Sequence, residues 1–246
     1  MKKWFDGFWM SWGMFLAIPC PCKHWNEEAR GQMLCCLPLV GGVVGGLWAL
    51  VFWALRRFGA PWPLGAFLAA ILPWLVTGFL HLDGYMDVCD AILSRRDQAT
   101  RQKILKDSHC GAFAVICMVL LAGGQWSAFL SLEACPLPAL GLIPVVTRGC
   151  AALAVQLLRP MGTSQYAAMS RARGGNLIFL IVLTAAAAAV PITLYGRKGL
   201  APLAAGCGYW AAVSGAKNNL GGMSGDISGF GLTLGEALGV AMLLIQ

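Results

Sequence analysis

The run His81-Leu82-Asp83-Gly84-Tyr85-Met86-Asp87-Val88-Cys89-Asp90 sets three carboxylates at i, i+4 and i+7. At about 100° per residue they share one narrow face of a helix. Like charges so spaced repel and raise one another's pKa, a penalty that a divalent cation removes. An all-oxygen set favours magnesium, manganese or calcium over zinc. The bland alternative is a solvated helix face, with Arg95, Arg96 and Arg101 as counter-charges. Against it stands the uncharged run 58–80 just before, which puts the acids at a membrane boundary, where ionisable groups tend to be functional. Asp83, Asp87 and Asp90 are candidate metal ligands.

Two further clusters carry groups suited to phosphate. Lys106-Asp107-Ser108-His109-Cys110-Gly111 offers a cation for phosphate oxygens, a fourth metal-ligand candidate in Asp107, a hydroxyl in Ser108, and a glycine that lets backbone approach closely. A basic membrane-surface loop would have the same composition. Asn218-Asn219-Leu220-Gly221-Gly222-Met223-Ser224-Gly225-Asp226 is a glycine-rich loop whose backbone N–H groups can face an anion, with Asp226 beside it to bind metal or orient a hydroxyl. Arg148 lies inside an otherwise uncharged run and needs a partner, either an acid of another span or a substrate phosphate.

The elements that must position these groups are apolar. Of 246 residues, 58% are hydrophobic and 12% charged, far from the roughly 25% charged of a soluble domain. Disorder, a coiled coil and a secreted disulfide scaffold are excluded. A bilayer span needs roughly 20 apolar residues. The runs 31–55, 58–80, 110–132, 134–158, 174–196, 199–216 and 227–246 each qualify, the last two most weakly. The expected fold is an all-α integral membrane protein, one polytopic helical bundle over 1–246 with about seven transmembrane helices. Lys2, Lys3, Trp4, Trp9 and Trp12 open the chain as an interfacial or re-entrant segment, because Asp6 and Pro19-Cys20-Pro21-Cys22 argue against a signal peptide.

With seven spans, thirteen basic residues fall on one side: Lys2, Lys3, Lys23, Arg30, Arg95, Arg96, Arg101, Lys103, Lys106, Arg159, Arg171, Arg173 and Lys217. Only Arg56, Arg57, Arg197 and Lys198 fall on the other. The positive-inside rule makes the richer side cytoplasmic, so the segment 81–110 and the glycine-rich loop share one face and can converge. The net charge of +7 reads as topology plus phosphate contacts, not nucleic-acid binding. Ten cysteines suit a reducing compartment. Cys20, Cys22 and His24, with Cys35 and Cys36, could bind a soft metal, though small packing residues account for them better. Gly41/Gly45 and Gly42/Gly46 form overlapping GxxxG pairs suited to a neighbouring helix or a second subunit, so a homo-oligomer is compatible with the sequence.

Taken together, these motifs resemble the cobalamin synthase family, the integral-membrane adenosylcobinamide-GDP ribazoletransferases. His81 to Asp90 matches the family's H-x-D-G-x-x-D-x-x-D in full. Arg96-Asp97-Gln98-Ala99-Thr100-Arg101 is similar to its R-D-x-x-x-R, and Leu105 to Gly111 to its M-K-D-S-R-x-G. Gly221 to Asp226 matches its G-G-x-[ST]-G-D. Pro19-Cys20-Pro21, Pro38-Leu39-Val40-Gly41, Arg148 and Arg159-Pro160-Met161-Gly162 are softer similarities in the same order. His109 and Cys110 depart from it, standing where Arg and an aliphatic residue are usual.

The resemblance implies a magnesium-dependent phosphotransferase in a bacterial or archaeal cell membrane, its site facing the cytoplasm. Adenosylcobinamide-GDP and α-ribazole, or α-ribazole 5′-phosphate, give adenosylcobalamin, or its 5′-phosphate, and GMP. The 5′-hydroxyl of the ribazole is the expected nucleophile. Asp83, Asp87, Asp90 and Asp107 are the implied metal ligands, and His81 joins Asp83, Asp87 and Asp90 in the catalytic set, with His81 or one of the acids accepting the hydroxyl proton. Lys106, Ser108, Arg148, Arg159, Gly222, Ser224 and Asp226 are the implied substrate contacts. Two rivals fit less well. A CDP-alcohol phosphatidyltransferase requires D-G-x-x-A-R and a trailing D-x-x-x-D, both missing here. A transporter requires a polar face along its spans, whereas these acids cluster outside them.

Overall fold

Uncharged runs fold as helices here, and prolines, glycines and paired basic residues set where they stop. The computed structural model describes residues 2–162 and 174–245, and among these it holds eleven α-helices and no strand beyond one isolated bridge. Arg171 and Arg173, counted above for orientation, lie outside the described residues. α1 (Lys2–Phe15) has 14 residues and is too short to span. It is followed by a 3-10 turn (Glu27–Ala29) and α2 (Arg30–Cys35). α3 (Leu37–Arg57) carries Pro38 in its first turn and ends on Arg56 and Arg57, which complement the negative end of its dipole.

After α4 (Trp62–Val76) the chain turns through 92° into α5 (Leu80–Leu93). The turn is made by two consecutive left-handed residues, Gly78 at φ 59° and Phe79 at φ 62°. Phe79 pays for a conformation that side chains other than glycine seldom adopt, about 1–2 kcal/mol. Phe79 N–H donates to the Trp74 carbonyl at 2.8 Å, and the Thr77 hydroxyl donates to the Pro73 carbonyl at 2.8 Å. Those bonds hold the bend that swings the acidic segment out of line with α4.

The chain continues through α6 (Gln98–Ile104), α7 (Ala112–Ser131), α8 (Leu137–Leu157), α9 (Gly174–Tyr195), a 3-10 turn (Gly196–Leu200), α10 (Ala201–Leu220) and α11 (Gly225–Met242). α8 is the central helix and is mostly buried, whereas α7 is peripheral and mostly exposed. α3, α9, α10 and α11 all pack on α8, and α5 lies along α11. The core between α5, α8, α10 and α11 is filled by Val88, Val146, Cys150, Val213, Ile227 and Leu232.

The helical membrane fold is as expected from sequence, but the count of seven spans is not reached by length and apolarity. Among the described residues four helical stretches qualify: α3, α7, α8 and the continuous stretch Asn176–Leu220, with the bent α4–α5 pair making a fifth. The run 58–80 falls short because the Gly78–Phe79 bend breaks it. The run 227–246 falls short because α11 is diluted by glycines, Ser228, Thr233 and Glu236. The 45 residues of Asn176–Leu220 would reach about 68 Å if straight, about twice a bilayer core. Gly196 is left-handed at φ 57°, and a Cβ on Gly199 would lie 2.0 Å from the Pro191 carbonyl oxygen. A straight helix cannot bring residues eight apart together, so the chain folds back at this turn.

The two GxxxG pairs separate by face. A Cβ on Gly45 would lie 1.8 Å from the Gly141 carbonyl oxygen, and one on Gly41 2.4 Å from that of Pro144. Both glycines let α3 lie directly on the α8 backbone. A Cβ on Gly46 would meet nothing within 4 Å. Gly45→Val is expected to cost about 1–3 kcal/mol by overpacking, read as a clear fall in thermal midpoint of the detergent-solubilised protein. Gly46→Val should stay within about 0.5 kcal/mol, and equal effects from both would refute the assigned faces.

Candidate functional site

α5 carries Asp83, Asp87 and Asp90 on one face, as the spacing predicts. What the spacing does not reveal is the surface they meet. A Cβ on Gly84 would lie 2.8 Å from Asp226 Cα and 2.9 Å from its carbonyl oxygen. One on Gly229 would lie 2.9 Å from the His81 carbonyl oxygen. Two glycines thus let α5 and α11 touch backbone to backbone, and the Thr233 hydroxyl donates to the His81 carbonyl at 3.2 Å. This approach sets Asp226, in the first turn of α11, among the α5 acids.

The electrostatics report that grouping. These carboxylates lie outside the four unbroken apolar spans, those of α5 on the limb that turns 92° away from α4. Burial, then the neighbouring Asp83, Asp226 and Asp90, push the Asp87 carboxyl up to about 6. Burial also raises Asp226, opposed in part by the hydrogen bond from Ser224 and aided by a smaller push from Asp83. The Ser224 hydroxyl caps α11 by accepting from Ile227 N–H at 3.3 Å, and lies 3.4 Å from Asp226 Oδ2.

Asp90 is differently employed. Its carboxylate accepts from Gly111 N–H at 2.7 Å and Ala114 N–H at 2.9 Å, which caps the N-terminus of α7 from another helix. That fixes the start of α7 and the end of the Lys106–Gly111 segment. Lys106, Asp107 and Ser108 are exposed on that segment. Asp107 Oδ1 accepts from His109 N–H at 3.0 Å and meets His109 Nδ1 at 2.6 Å. Hydrogen bonds from His109 hold the Asp107 carboxyl below its usual range. Asp107 is therefore tied to the residue that departs from the family pattern, and is absent from the group that perturbs Asp87.

The glycine-rich loop is stitched to the segment after α8. Met223 N–H donates to the Arg159 carbonyl at 2.9 Å, and Met161 N–H to the Met223 carbonyl at 2.8 Å. Gly222 fits there because a Cβ would lie 2.7 Å from Met161 Cα. Exposed Arg159 and the loop Gly222–Asp226 are thereby brought together. From the other side, Arg101 Nη1 donates to Asn219 Oδ1 at 2.7 Å, and Gln102 Nε2 to the Leu220 carbonyl at 2.6 Å. Asp97 caps α6 by accepting from Thr100 N–H at 3.0 Å and the Thr100 hydroxyl at 2.7 Å. Both ends of the loop are therefore held by motif residues. Sequence reasoning missed the fit of Gly84 against Asp226, although a glycine inside a helical acidic run is itself a signal of close approach.

Arg148 finds an acid of another helix: its Nη1 donates to Glu236 Oε1 at 2.5 Å, and the Thr147 hydroxyl donates to the same oxygen at 3.3 Å. The guanidinium is 1% exposed. For magnesium, the described residues supply all-oxygen donors in Asp83, Asp87 and Asp226, but no three His, Cys, Asp or Glu side chains are drawn close enough to form a closed cage. Magnesium commonly keeps waters and takes one or two carboxylates plus substrate phosphates, and an open carboxylate group of this kind fits that mode. Cys20, Cys22 and His24 form no metal-binding group either, and all ten cysteines are free thiols.

A helical membrane protein with carboxylates converging from two helices beside a capped glycine-rich loop defines the class of membrane-embedded group-transfer enzymes. A family model described as cobalamin-5-phosphate synthase matches residues 7–244, and the chain belongs to that family. Relatives named adenosylcobinamide-GDP ribazoletransferase include one from Clostridium botulinum (strain Alaska E43 / Type E3), 35% identical over 250 residues, covering 98% of this chain and 97% of its own. One from Clostridium perfringens (strain 13 / Type A) is 34% identical over 99% of both chains. One from Geobacillus kaustophilus (strain HTA426) is 32% identical over 99% of this chain and 98% of its own. No solved structure matches.

Gly84→Val would force α5 off α11 and pull Asp83 and Asp87 from Asp226. Turnover is expected to fall about 10²-fold, the effect of roughly ångström misplacement, while helical content by circular dichroism is retained. Near-normal turnover would show that this approach does not build the site.

Proposed function

We propose that this chain joins adenosylcobinamide-GDP to α-ribazole, or its 5′-phosphate, and releases GMP, using magnesium held by Asp83, Asp87 and Asp226. The observation that carries the reading is the convergence of those carboxylates from α5 and α11 beside a stitched glycine-rich loop, in a chain of the cobalamin-5-phosphate synthase family. A ribose hydroxyl oxygen of the ribazole forms a bond to the phosphorus that bears cobinamide. The bond from that phosphorus to the bridging oxygen of GDP breaks, GMP leaves, and the hydroxyl proton passes to a carboxylate of the group. The 5′-hydroxyl expected from sequence does not suit this family as nucleophile. A product described as a 5-phosphate has that oxygen already occupied, so another ribose hydroxyl attacks.

Such transfer is mainly positioning and charge stabilisation. Backbone N–H groups of Gly222, Ser224 and Gly225, with the exposed Arg159 and Lys106, face the phosphates, while those of Gly221 and Met223 donate to the Lys217 and Arg159 carbonyls. Bound magnesium would screen the pyrophosphate and stabilise the leaving GMP. On the seven-span topology expected from sequence, the thirteen-to-four distribution of basic residues supports a cytoplasmic site in a multi-pass membrane protein.

A GMP-release assay on purified protein in nanodiscs tests the reading. Asp83→Asn and Asp87→Asn are each expected to abolish magnesium-dependent release while the protein still inserts, and near-normal rates in both would remove the metal assignment.

The raised Asp87 carboxyl gives a second, pH-dependent test. A group protonated below about 6 cannot ligate until it loses its proton, so binding releases protons. Apparent magnesium affinity, by calorimetry, should be flat above pH 7 and fall by up to about tenfold per unit below 6. Asp87→Asn should flatten that fall.

A further inference from the structure

Beneath the carboxylates lies a cavity of about 130 Å³. Its walls are apolar, with Phe15, Leu37, Ala151 and Leu232 among them. Asp83 and Asp226 also line it, which joins the cavity to the reacting group. Besides the two acids, three polar side chains line it, His81, Arg148 and Ser228, the last already 3.2 Å from the Tyr209 hydroxyl. Arg148 Nε and Nη2 and His81 Nε2 are buried with no hydrogen-bond partner. Unpaired buried polar atoms of this kind cost roughly 1–3 kcal/mol each, and the two on Arg148 are necessarily donors, so their persistence points to a ligand that satisfies them.

The chemistry of that ligand follows from the charges. Arg148 is already neutralised by Glu236. An anion placed there would meet the carboxylates of Asp83 and Asp226 and an apolar wall, with no net positive charge to balance it. A neutral hydrogen-bond acceptor on a flat apolar body suits both the walls and the free N–H groups. The volume is close to that of an apolar cavity of about 150 Å³ that holds one benzene ring, enough to take a ring of a fused bicycle inserted edge-on.

We infer that this cavity binds the benzimidazole base of α-ribazole, its free ring nitrogen accepting from Arg148, and so presents the ribose hydroxyls to Asp83 and Asp226. This rests on the proposed reaction. It turns Arg148 from a phosphate contact into a base-recognising residue, whose role is to position the nucleophile.

Equilibrium binding to the full chain in nanodiscs tests it, with α-ribazole and its 3-deaza analogue (the same glycoside built on 5,6-dimethylindole) as probes. Wild type should prefer α-ribazole by about tenfold, the factor one hydrogen bond supplies. Removing Arg148 alone would strand the Glu236 charge, so the double variant Arg148→Met/Glu236→Gln is used. It should lose the preference while its KM for adenosylcobinamide-GDP moves less than threefold. Ala151→Leu, which fills the cavity, should weaken α-ribazole binding at least tenfold and leave adenosylcobinamide-GDP binding intact. Equal binding of the two probes by wild type, or a preference that survives in the double variant, overturns the inference. GMP release by wild type, measured alongside, separates the two ideas: release with no probe preference sinks the cavity assignment alone, and α-ribazole binding without any release sinks the proposed reaction.

Discussion

Everything at the site depends on the backbone contact between α5 and α11. Neither helix alone assembles the carboxylate group, and a side chain at Gly84 or Gly229 would hold the two apart by a methyl group or more. With glycine at both positions, Asp226 joins acids separated from it by some 140 residues of chain. The cost of that contact is electrostatic: the carboxyls of Asp87 and Asp226 are both raised. A site that repels itself when empty is primed to gain from a cation, because neutralisation removes the penalty in the same event.

Two other constraints make the contact possible. The 92° turn at Gly78 and Phe79 frees α5 from the direction of α4, so its acidic face can be laid on α11 instead of continuing through the apolar layer. The Arg148–Glu236 pair then fastens α8 to α11. Breaking one member of a buried pair leaves an uncompensated charge, at about 3–5 kcal/mol, so this link resists separation. α11 is thereby gripped by α5, α8 and α10, which keeps its first turn, with Ser224 and Asp226, in a fixed place.

Much of the chemistry was legible in the sequence because it rests on residue type and helical period. The i, i+4, i+7 acids do share a face, and the glycine-rich loop does lie beside them. What was hidden is what depends on contacts across the chain. Asp90 looks equivalent to Asp83 and Asp87 by spacing, yet it caps α7, whose start lies more than 20 residues further on. Asp107 looks like a fourth acid of the set, yet it is bound to its own neighbour His109. Gly78 and Phe79 sit inside an uncharged run, where hydropathy cannot distinguish a bend from a span. The partner of Arg148 had two candidates, an acid or a phosphate, and only the packing of α8 on α11 decides between them.

The arrangement also separates two kinds of recognition by dielectric. Charged groups meet at the outer end of α5 and the first turn of α11, where phosphates and a cation can keep some water. Some ten residues deeper along α11, charge is cancelled within the protein by Arg148 and Glu236, and only neutral hydrogen-bonding capacity is left facing the cavity. Were Glu236 apolar, the free guanidinium would attract phosphate inward, away from the loop that cradles it, and would draw Asp83 into a competing ion pair. The buried acid Glu236 is thus as important to the polarity of the site as the acids at its rim. It keeps the anionic substrate at the rim and leaves the interior to an uncharged partner.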